Sequence, residues 1–159
     1  MSYDVLDVAD WFIEKAQEDG GEISPKKLQK LLYYAYSWSL VFFNESSDNL
    51  SEKLFENNIE AWVHGPVIPE VYHEYKTYGY NPIVKDVKKP CFSEDTEDVL
   101  NQVWDIYGGY NGNQLESITH QEEPWIEARG DSKPLDASNV LLNDKTIFSY
   151  YMSELEMNG

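Results

Sequence analysis

Residues 24–43 read SPKKLQKLLYYAYSWSLVFF, and this stretch predicts a long amphipathic helix. Ser24 suits the capping position because its hydroxyl accepts a hydrogen bond from a free amide, and Pro25 suits the first helical position because it has no amide to satisfy. Apolar side chains then recur at steps of three and four residues, which predicts one buried face. They are Leu28, Leu31, Leu32, Ala35, Trp38 and Phe42. The basic side chains Lys26, Lys27 and Lys30 are expected on the opposite side.

Further helices are predicted on both sides of this segment. The first carries an apolar stripe from Val5 to Ala16 and ends at Gly20 and Gly21. Ser93 and Asn143 are suited to cap two later helices. The helices predicted after residue 43 cover residues 69–79, 93–107, 114–119 and 143–155.

One short strand is predicted at Ile59–Val63, because apolar and polar residues alternate there. Gly65 and Pro66 follow it and predict a turn. Residues 80–92 are interpreted as a loop or as a second short strand at Ile83–Val87, residues 127–137 as a loop, and Pro124 as a turn. The predicted fold is therefore mainly α: a compact single-domain bundle of five to six helices with a small β-hairpin element.

The chain is strongly acidic, because 29 Asp and Glu residues against 12 Lys and Arg residues give a formal net charge of −17. The hydrophobic fraction of 42% is enough for a core, so whole-chain disorder is not expected. A surface this negative repels phosphate backbones, which argues against direct nucleic-acid binding. It attracts a basic partner and speeds the encounter, unless the acidity serves only to keep the protein in solution.

The expected compartment is the cytoplasm. Cys91 is the single cysteine, so no disulfide can form within the chain and nothing indicates an oxidising compartment. The acidic N-terminal residues do not resemble a signal peptide, and the apolar runs are too short to cross a membrane.

Catalytic, metal and cofactor signatures are sparse. Of the three histidines, His64, His73 and His120, no two have a spacing typical of paired metal ligands. Glu70 and Glu74, at i and i+4 beside His73, are interpreted as a solvated helix face or a weak cation site. Nucleophile motifs are absent, and Gly108, Gly109 and Gly112 follow a helix rather than opening one as a phosphate-binding loop would. We therefore expect no enzyme, no cofactor and no metal site.

Two local motifs contain more than helix formation requires. The first is Trp62-x-His64-Gly65-Pro66-Val67, in which a tight turn holds a Trp and a His. The second is Thr119-His120-x-x-x-Pro124-Trp125, followed by Arg129. One explanation is structural, with buried ring N–H groups satisfied inside the fold. The other is a rigid patch of aromatic and Arg side chains, which are enriched in interface hot spots.

The motifs together resemble those of the Panacea domain family, which contains SocA-type antitoxins and related phage-associated proteins. The resemblance covers nearly the whole chain and rests on three ordered segments. They are residues 24–34, the segment Trp62-x-x-Gly65-Pro66-Val67-x-Pro69-x-Val71-Tyr72, and Thr119-His120-x-x-x-Pro124-Trp125 with Arg129. We therefore expect residues 1–159 to form one such domain, without a toxin-specific extension.

This resemblance implies an antitoxin of a toxin–antitoxin system, which neutralises a protein toxin by direct contact. The acidity would suit a basic toxin. Alternative functions are an adaptor that delivers a partner to a ClpXP-type protease and an orphan phage-encoded acidic inhibitor that mimics DNA; a His-dependent enzyme is the least favoured. Partners are expected to be proteins, without direct nucleic-acid or membrane binding. The candidate partner-binding residues are Trp62, His64, Gly65, Pro66, Tyr72, His120, Pro124, Trp125 and Arg129.

Overall fold

A computed structural model describes residues 2–158, which form seven α-helices and a two-stranded antiparallel hairpin. This confirms the predicted mainly helical fold with a small hairpin. A 3₁₀ turn, Lys76–Tyr78, follows the third helix. The helices are α1 Val5–Glu18, α2 Pro25–Phe43, α3 Pro69–Tyr75, α4 Glu94–Tyr107, α5 Gly112–Thr119, α6 Glu123–Arg129 and α7 Asp144–Asn158, and the strands are β1 Glu60–Trp62 and β2 Gly65–Val67.

The predicted helix starts are confirmed by the bonds at their caps. The Ser24 hydroxyl accepts from the Lys27 amide at 3.2 Å, and the Ser93 hydroxyl accepts from the Thr96 amide at 3.3 Å. At α7, Asn143 Oδ1 accepts from the Lys145 amide at 2.8 Å. These side chains occupy amides that the first turn of a helix leaves without a partner.

Helix α2 is the centre of the fold, and the prediction that it buries a single face is wrong. Tyr33, Tyr36 and Ser37 point to sides other than the predicted stripe and are also buried. The helix packs against α1, α3, α4, α5, α7 and β2. Because α2 has no charged residue after Lys30, other elements can pack against this part of the helix on every side.

The three lysines expected on the far side of α2 point into other elements instead. Lys30 is only 1% exposed, and the Lys27 ammonium donates to the Gly108 carbonyl at the end of α4 at 2.6 Å. The Lys26 ammonium donates to Glu116 Oε1 on α5 at 2.6 Å. Because neighbouring elements supply an acceptor for each ammonium, the charges can be enclosed by the fold.

The structure corrects three local predictions and decides one that the sequence left open. Gly65 and Pro66 form β2 rather than the turn, which lies at residues 63 and 64. Pro124 lies in the first turn of α6 and not in an isolated turn. Helix α6, which is not among the six predicted helices, extends to Arg129 and so covers the start of the predicted loop at residues 127–137. Gly112 is the first residue of α5, because Asn111 forms a capping box with Gln114. Residues 83–87 form no strand.

The segment before α7 adds a third chain to the hairpin. The Ala61 amide donates to the Val140 carbonyl at 2.9 Å, and the Leu142 amide donates to the Ile59 carbonyl at 2.8 Å. Strand β1 is therefore enclosed on both edges, by β2 and by this segment. Among the helices of residues 2–158, none combines the length and apolar character that crossing a membrane requires.

Candidate functional site

Helix α2 holds the hairpin through two buried polar side chains, Gln29 and Lys30. The Lys30 ammonium donates to the Pro66 carbonyl at 3.1 Å. The Gln29 amide donates to the Ile68 carbonyl at 3.1 Å and accepts from the Ile68 amide at 2.8 Å. These bonds satisfy backbone groups along the outer edge of β2. Pro66 is tolerated at this edge because no neighbouring strand requires an amide hydrogen from it. Burial lowers the pKa of Lys30 to about 7, although the charge of Glu116 opposes the shift.

Gly65 allows α2, α5 and β2 to approach each other closely. Its φ of +109° is a conformation that residues with a side chain avoid. A Cβ at this position would lie 2.7 Å from Lys30 Cε and 3.0 Å from Thr119 Oγ1. Gly65 and Thr119, one from each sequence motif, therefore meet beside the buried ammonium of Lys30.

Helix α6 attaches to β1 through Trp125 and Arg129. The Trp125 indole N–H donates to the Trp62 carbonyl at 2.9 Å. The Arg129 guanidinium donates to the Ala61 carbonyl at 3.3 Å and to the Lys133 carbonyl at 2.8 Å, and the residue is only 6% exposed. It also lies over the Trp125 ring, 5.6 Å from its centre. Arg129 is thus a buried link between backbone segments rather than an exposed contact.

His120 packs flat against Trp125, with 4.0 Å between ring centres and 11° between planes. Burial lowers its pKa, so the ring is neutral at pH 7. Pro124 is buried beside it. The structure therefore brings the two sequence motifs together as one unit. The predicted structural explanation accounts for Gly65, Pro66, Pro124 and Arg129, whereas the buried His120 Nε2 has no hydrogen-bond partner among the described residues.

Trp62, His64 and Tyr72 form the part of this unit that reaches the surface, which we call the hairpin face. The rings of the half-buried Trp62 and of Tyr72 meet edge to face at 5.0 Å, and Tyr72 is 41% exposed. The Trp62 indole N–H donates to Glu60 Oε1 at 2.8 Å, which orients the ring. A groove of about 570 Å³ lies beside them. Its lining is Glu60, Trp62, Val63, His64, Val67, Ala137, Ser138 and Asn139.

Glu116 on α5 links this face to α2. Its Oε2 lies 3.2 Å from His64 Nδ1, while its Oε1 accepts from the Lys26 ammonium at 2.6 Å. Burial alone would raise the pKa of Glu116, but the bonds from Lys26 and His64 outweigh burial and lower it. Glu116 is therefore a carboxylate at neutral pH, and it fixes the exposed His64 ring at the tip of the hairpin.

A second polar cluster, which neither sequence motif predicted, lies at the other end of α6. Glu122 precedes the helix, and its Oε1 accepts from the Tyr34 hydroxyl at 2.7 Å and from the Tyr151 hydroxyl at 3.0 Å. The Tyr33 hydroxyl lies 3.0 Å from that of Tyr151, and Tyr107 stacks on Tyr34 at 3.9 Å. Burial raises the pKa of Glu122 to about 7. The one sequence signal for this cluster was the Tyr33-Tyr34 pair within an uncharged helical stretch.

The other histidine candidates do not converge on a common centre. His73 is exposed on α3 and contacts the Tyr72 ring, with 5.6 Å between ring centres. Glu70, interpreted together with Glu74 as a solvated helix face or a cation site, accepts from the Asn57 side-chain amide at 2.9 Å. In the part of the chain that the structure describes, no group of three or more His, Cys, Asp or Glu side chains is placed to hold a metal ion.

Comparisons with known proteins agree with the motif resemblance. A family model described as "Antitoxin SocA-like, Panacea domain" matches residues 28–126, which span α2 to the first half of α6. The chain is also similar to Antitoxin SocA of Caulobacter vibrioides (strain NA1000 / CB15N), with 29% identity over 138 residues, covering 79% of this chain and 70% of that protein. No solved structure gives a significant match. The matched residues include the hairpin, the Lys30 bond to it and the Trp125 anchor, and the chain belongs to the SocA-like Panacea domain family.

Proposed function

We propose that this chain is an antitoxin that neutralises a protein toxin by binding it directly. The observation that carries the proposal is the family match across residues 28–126, together with the similarity to a protein named Antitoxin SocA. We also propose that the chain acts as one domain, since α2 packs against five of the other helices and β2 around a common core.

The hairpin face is the surface that we propose contacts the toxin. Trp62 and Tyr72 are large aromatic side chains held by packing and by the bond to Glu60, so little conformational entropy is lost when a partner covers them. Aromatic residues of this kind are enriched among interface hot spots. The groove of about 570 Å³ beside them is open to side chains of a partner, and Glu60 and His64 give its rim polar groups.

The test is co-expression with the product of the adjacent reading frame, with growth as the first readout and pull-down as the second. If that product is toxic alone, we expect growth to recover when this chain is present and a stable complex to be purified. A toxic product that neither binds this chain nor is relieved by it would contradict the proposal for that pair.

Variants of two equally exposed tyrosines locate the surface. Tyr72→Ala should weaken the complex by about tenfold or more, because the substitution removes an aromatic contact from the hairpin face. Tyr110→Ala is the matched control, since Tyr72 is 41% and Tyr110 42% exposed. Equal binding by the two variants would place the toxin elsewhere. Trp62→Ala should act like Tyr72→Ala, provided that its melting temperature shows that it folds.

The same experiment distinguishes the alternative functions. Rescue that is lost in a host without a ClpXP-type protease, while the complex still forms, would indicate an adaptor that delivers the toxin for degradation. Competition by duplex DNA for the same partner surface would indicate an acidic inhibitor that mimics DNA. Rescue that needs neither the protease nor a DNA-binding partner supports neutralisation by contact.

A further inference from the structure

An open apolar groove lies on the side of the molecule formed by α4 and α7. Both helices pack against α2 but hardly contact each other, so the surface between them is not closed by a fourth helix. Phe42, Ile106 and Leu155 remain 44%, 58% and 36% exposed there. The lining consists of Trp38, Phe42, Val99, Gln102, Val103, Ile106 and Leu155.

A second depression, of about 440 Å³, adjoins this groove at Phe42. Its other lining residues are mostly polar: Tyr3, Phe43 and Leu54 lie there with Glu52, Lys53, Ser93, Asp95 and Thr96. The apolar surface itself follows α4 from Val99 to Ile106, a length of about 10 Å at the rise of an α-helix. We call this surface the α4 groove. Its length matches two turns of a docked helix.

The border of the α4 groove is acidic. Helix α4 contains five acidic residues and no Lys or Arg, and Asp98 and Asp105 lie beside Gln102 at i−4 and i+3. On α7, the sequence neighbours of the lining residue Leu155 are the acidic residues Glu154 and Glu156. Lys53 lines the second depression, but its ammonium is paired with Asp144 at 3.2 Å. An apolar floor between acidic borders is complementary to a helix with one apolar face and basic flanks.

We propose that the α4 groove binds a positively charged amphipathic helix of a partner protein. A second copy of this chain would bring another net charge of −17 to the same place, and nucleic acids and anionic membranes are repelled for the same reason. The groove is distinct from the hairpin face, so this inference does not depend on the proposed toxin contact.

The test uses a model peptide rather than an unidentified partner. A fluorescein-labelled peptide of about 14 residues, four helical turns, carries Leu at i, i+3, i+4 and i+7 and Lys on both flanks. A scrambled peptide of the same composition lacks the apolar stripe. By fluorescence anisotropy, we expect the ordered peptide to bind about tenfold more tightly than the scrambled one.

Two double variants with the same change in net charge complete the design. Asp98→Lys with Asp105→Lys should weaken binding of the ordered peptide by about tenfold, because it reverses the border of the groove. Glu22→Lys with Asp86→Lys changes exposed residues elsewhere and should leave most of the affinity. Ile106→Ala should weaken binding of the ordered peptide and leave binding of the scrambled peptide unchanged. Circular dichroism checks that all variants fold.

Three outcomes would overturn the proposal. The first is equal affinity for the two peptides, and the second is equal loss of affinity in the two double variants, which would indicate non-specific charge attraction. The third is a dimer in light scattering that Ile106→Glu converts to a monomer, because a second copy would then occupy the groove.

Discussion

Gly65 is the residue at which β2, α2 and α5 come closest. Its positive φ and the missing Cβ are both required, because Lys30 and Thr119 fill the space that a side chain would occupy. In the sequence, the Gly65-Pro66 pair predicts a turn, for which positive φ is common. The structure places Gly65 in a strand. There the close contact with Lys30 and Thr119 is a stronger constraint on the residue than its positive φ.

Gly65→Ala is therefore expected to cost about 2–4 kcal/mol of unfolding free energy, from backbone strain and from displacement of Lys30. Gly20→Ala is the control, because Gly20 also has a positive φ of 70° but no atom within 4 Å of the position that a Cβ would take. That variant should cost about 1 kcal/mol. Urea denaturation followed by circular dichroism measures both, and similar losses would refute the role assigned to the contact.

Glu122 gives the folded state a dependence on pH. Burial raises its pKa from 4.5 to about 7, so the folded state binds this proton more tightly than the unfolded state. The resulting stabilisation is complete below pH 4.5 and is lost as pH rises through 7. The shift corresponds to at most about 3 kcal/mol.

Glu122→Gln should remove this dependence, because the amide oxygen still accepts from the Tyr34 and Tyr151 hydroxyls without titrating. We expect the wild type to lose more stability than the variant between about pH 5.5 and pH 8. Melting temperatures at both pH values measure the difference. The variant also serves as the control for the other acidic groups, which titrate in both proteins. Parallel pH profiles would show that Glu122 is ionised throughout.

At the scale of elements, α6 depends on its anchors. Seven residues are too few for a helix to be stable alone in water. Tyr34 and Tyr151 bind Glu122 at its start, and Trp125 and Arg129 bind the hairpin at its end. The helix thus connects the tyrosine cluster to β1. Its position is set by these contacts, which explains why local sequence predicted only a turn at Pro124.

Trp125→Phe should cost about 1–2 kcal/mol, because the Trp62 carbonyl loses its indole donor. Arg129→Met should cost about 2–3 kcal/mol, since it leaves the Ala61 and Lys133 carbonyls without the guanidinium. Ile126→Ala, at a site 43% exposed on the same helix, should cost less than about 1 kcal/mol. Urea denaturation compares the three, and a double variant with losses smaller than the sum would confirm that Trp125 and Arg129 act together.

At the scale of the whole molecule, the surface charge is more one-sided than the composition indicates. Several basic side chains are used inside the fold or in ion pairs, so they leave few cationic groups for a partner to contact, while at long range they still count in the net charge. They are Lys26, Lys27, Lys30, Lys53, Lys85, Lys89 and Arg129. The exposed surface is consequently dominated by the Asp and Glu residues that give the chain its net charge of −17.

Association with a basic toxin should therefore slow by about tenfold or more between about 0.05 and 0.5 M NaCl, because salt screens the steering field. The dissociation rate should change much less. Surface plasmon resonance with the toxin identified by growth rescue measures both rates. An association rate that is independent of salt would show that the acidity has no role in recognition.

The sequence by itself determined the helical class, the starts of α2, α4 and α7, and the family. Caps and apolar spacing are local properties, so Ser24, Ser93 and Asn143 could be read without knowing any distant contact. The order of the motifs was enough to indicate the Panacea domain family. The presence of a strand at Ile59–Val63 followed equally from local alternation.

Only the tertiary structure determined which polar groups lie inside. Lys30 and Glu122 look like surface residues in the sequence, and they are enclosed because the Pro66 carbonyl and the Tyr34 and Tyr151 hydroxyls meet them from distant segments. The separation of Trp62 and Tyr72, which reach the surface, from Arg129, which is buried, has the same origin. Burial and hydrogen bonding depend on all the elements packed around a residue. A pattern of residues along the sequence describes only the helix or strand in which it lies.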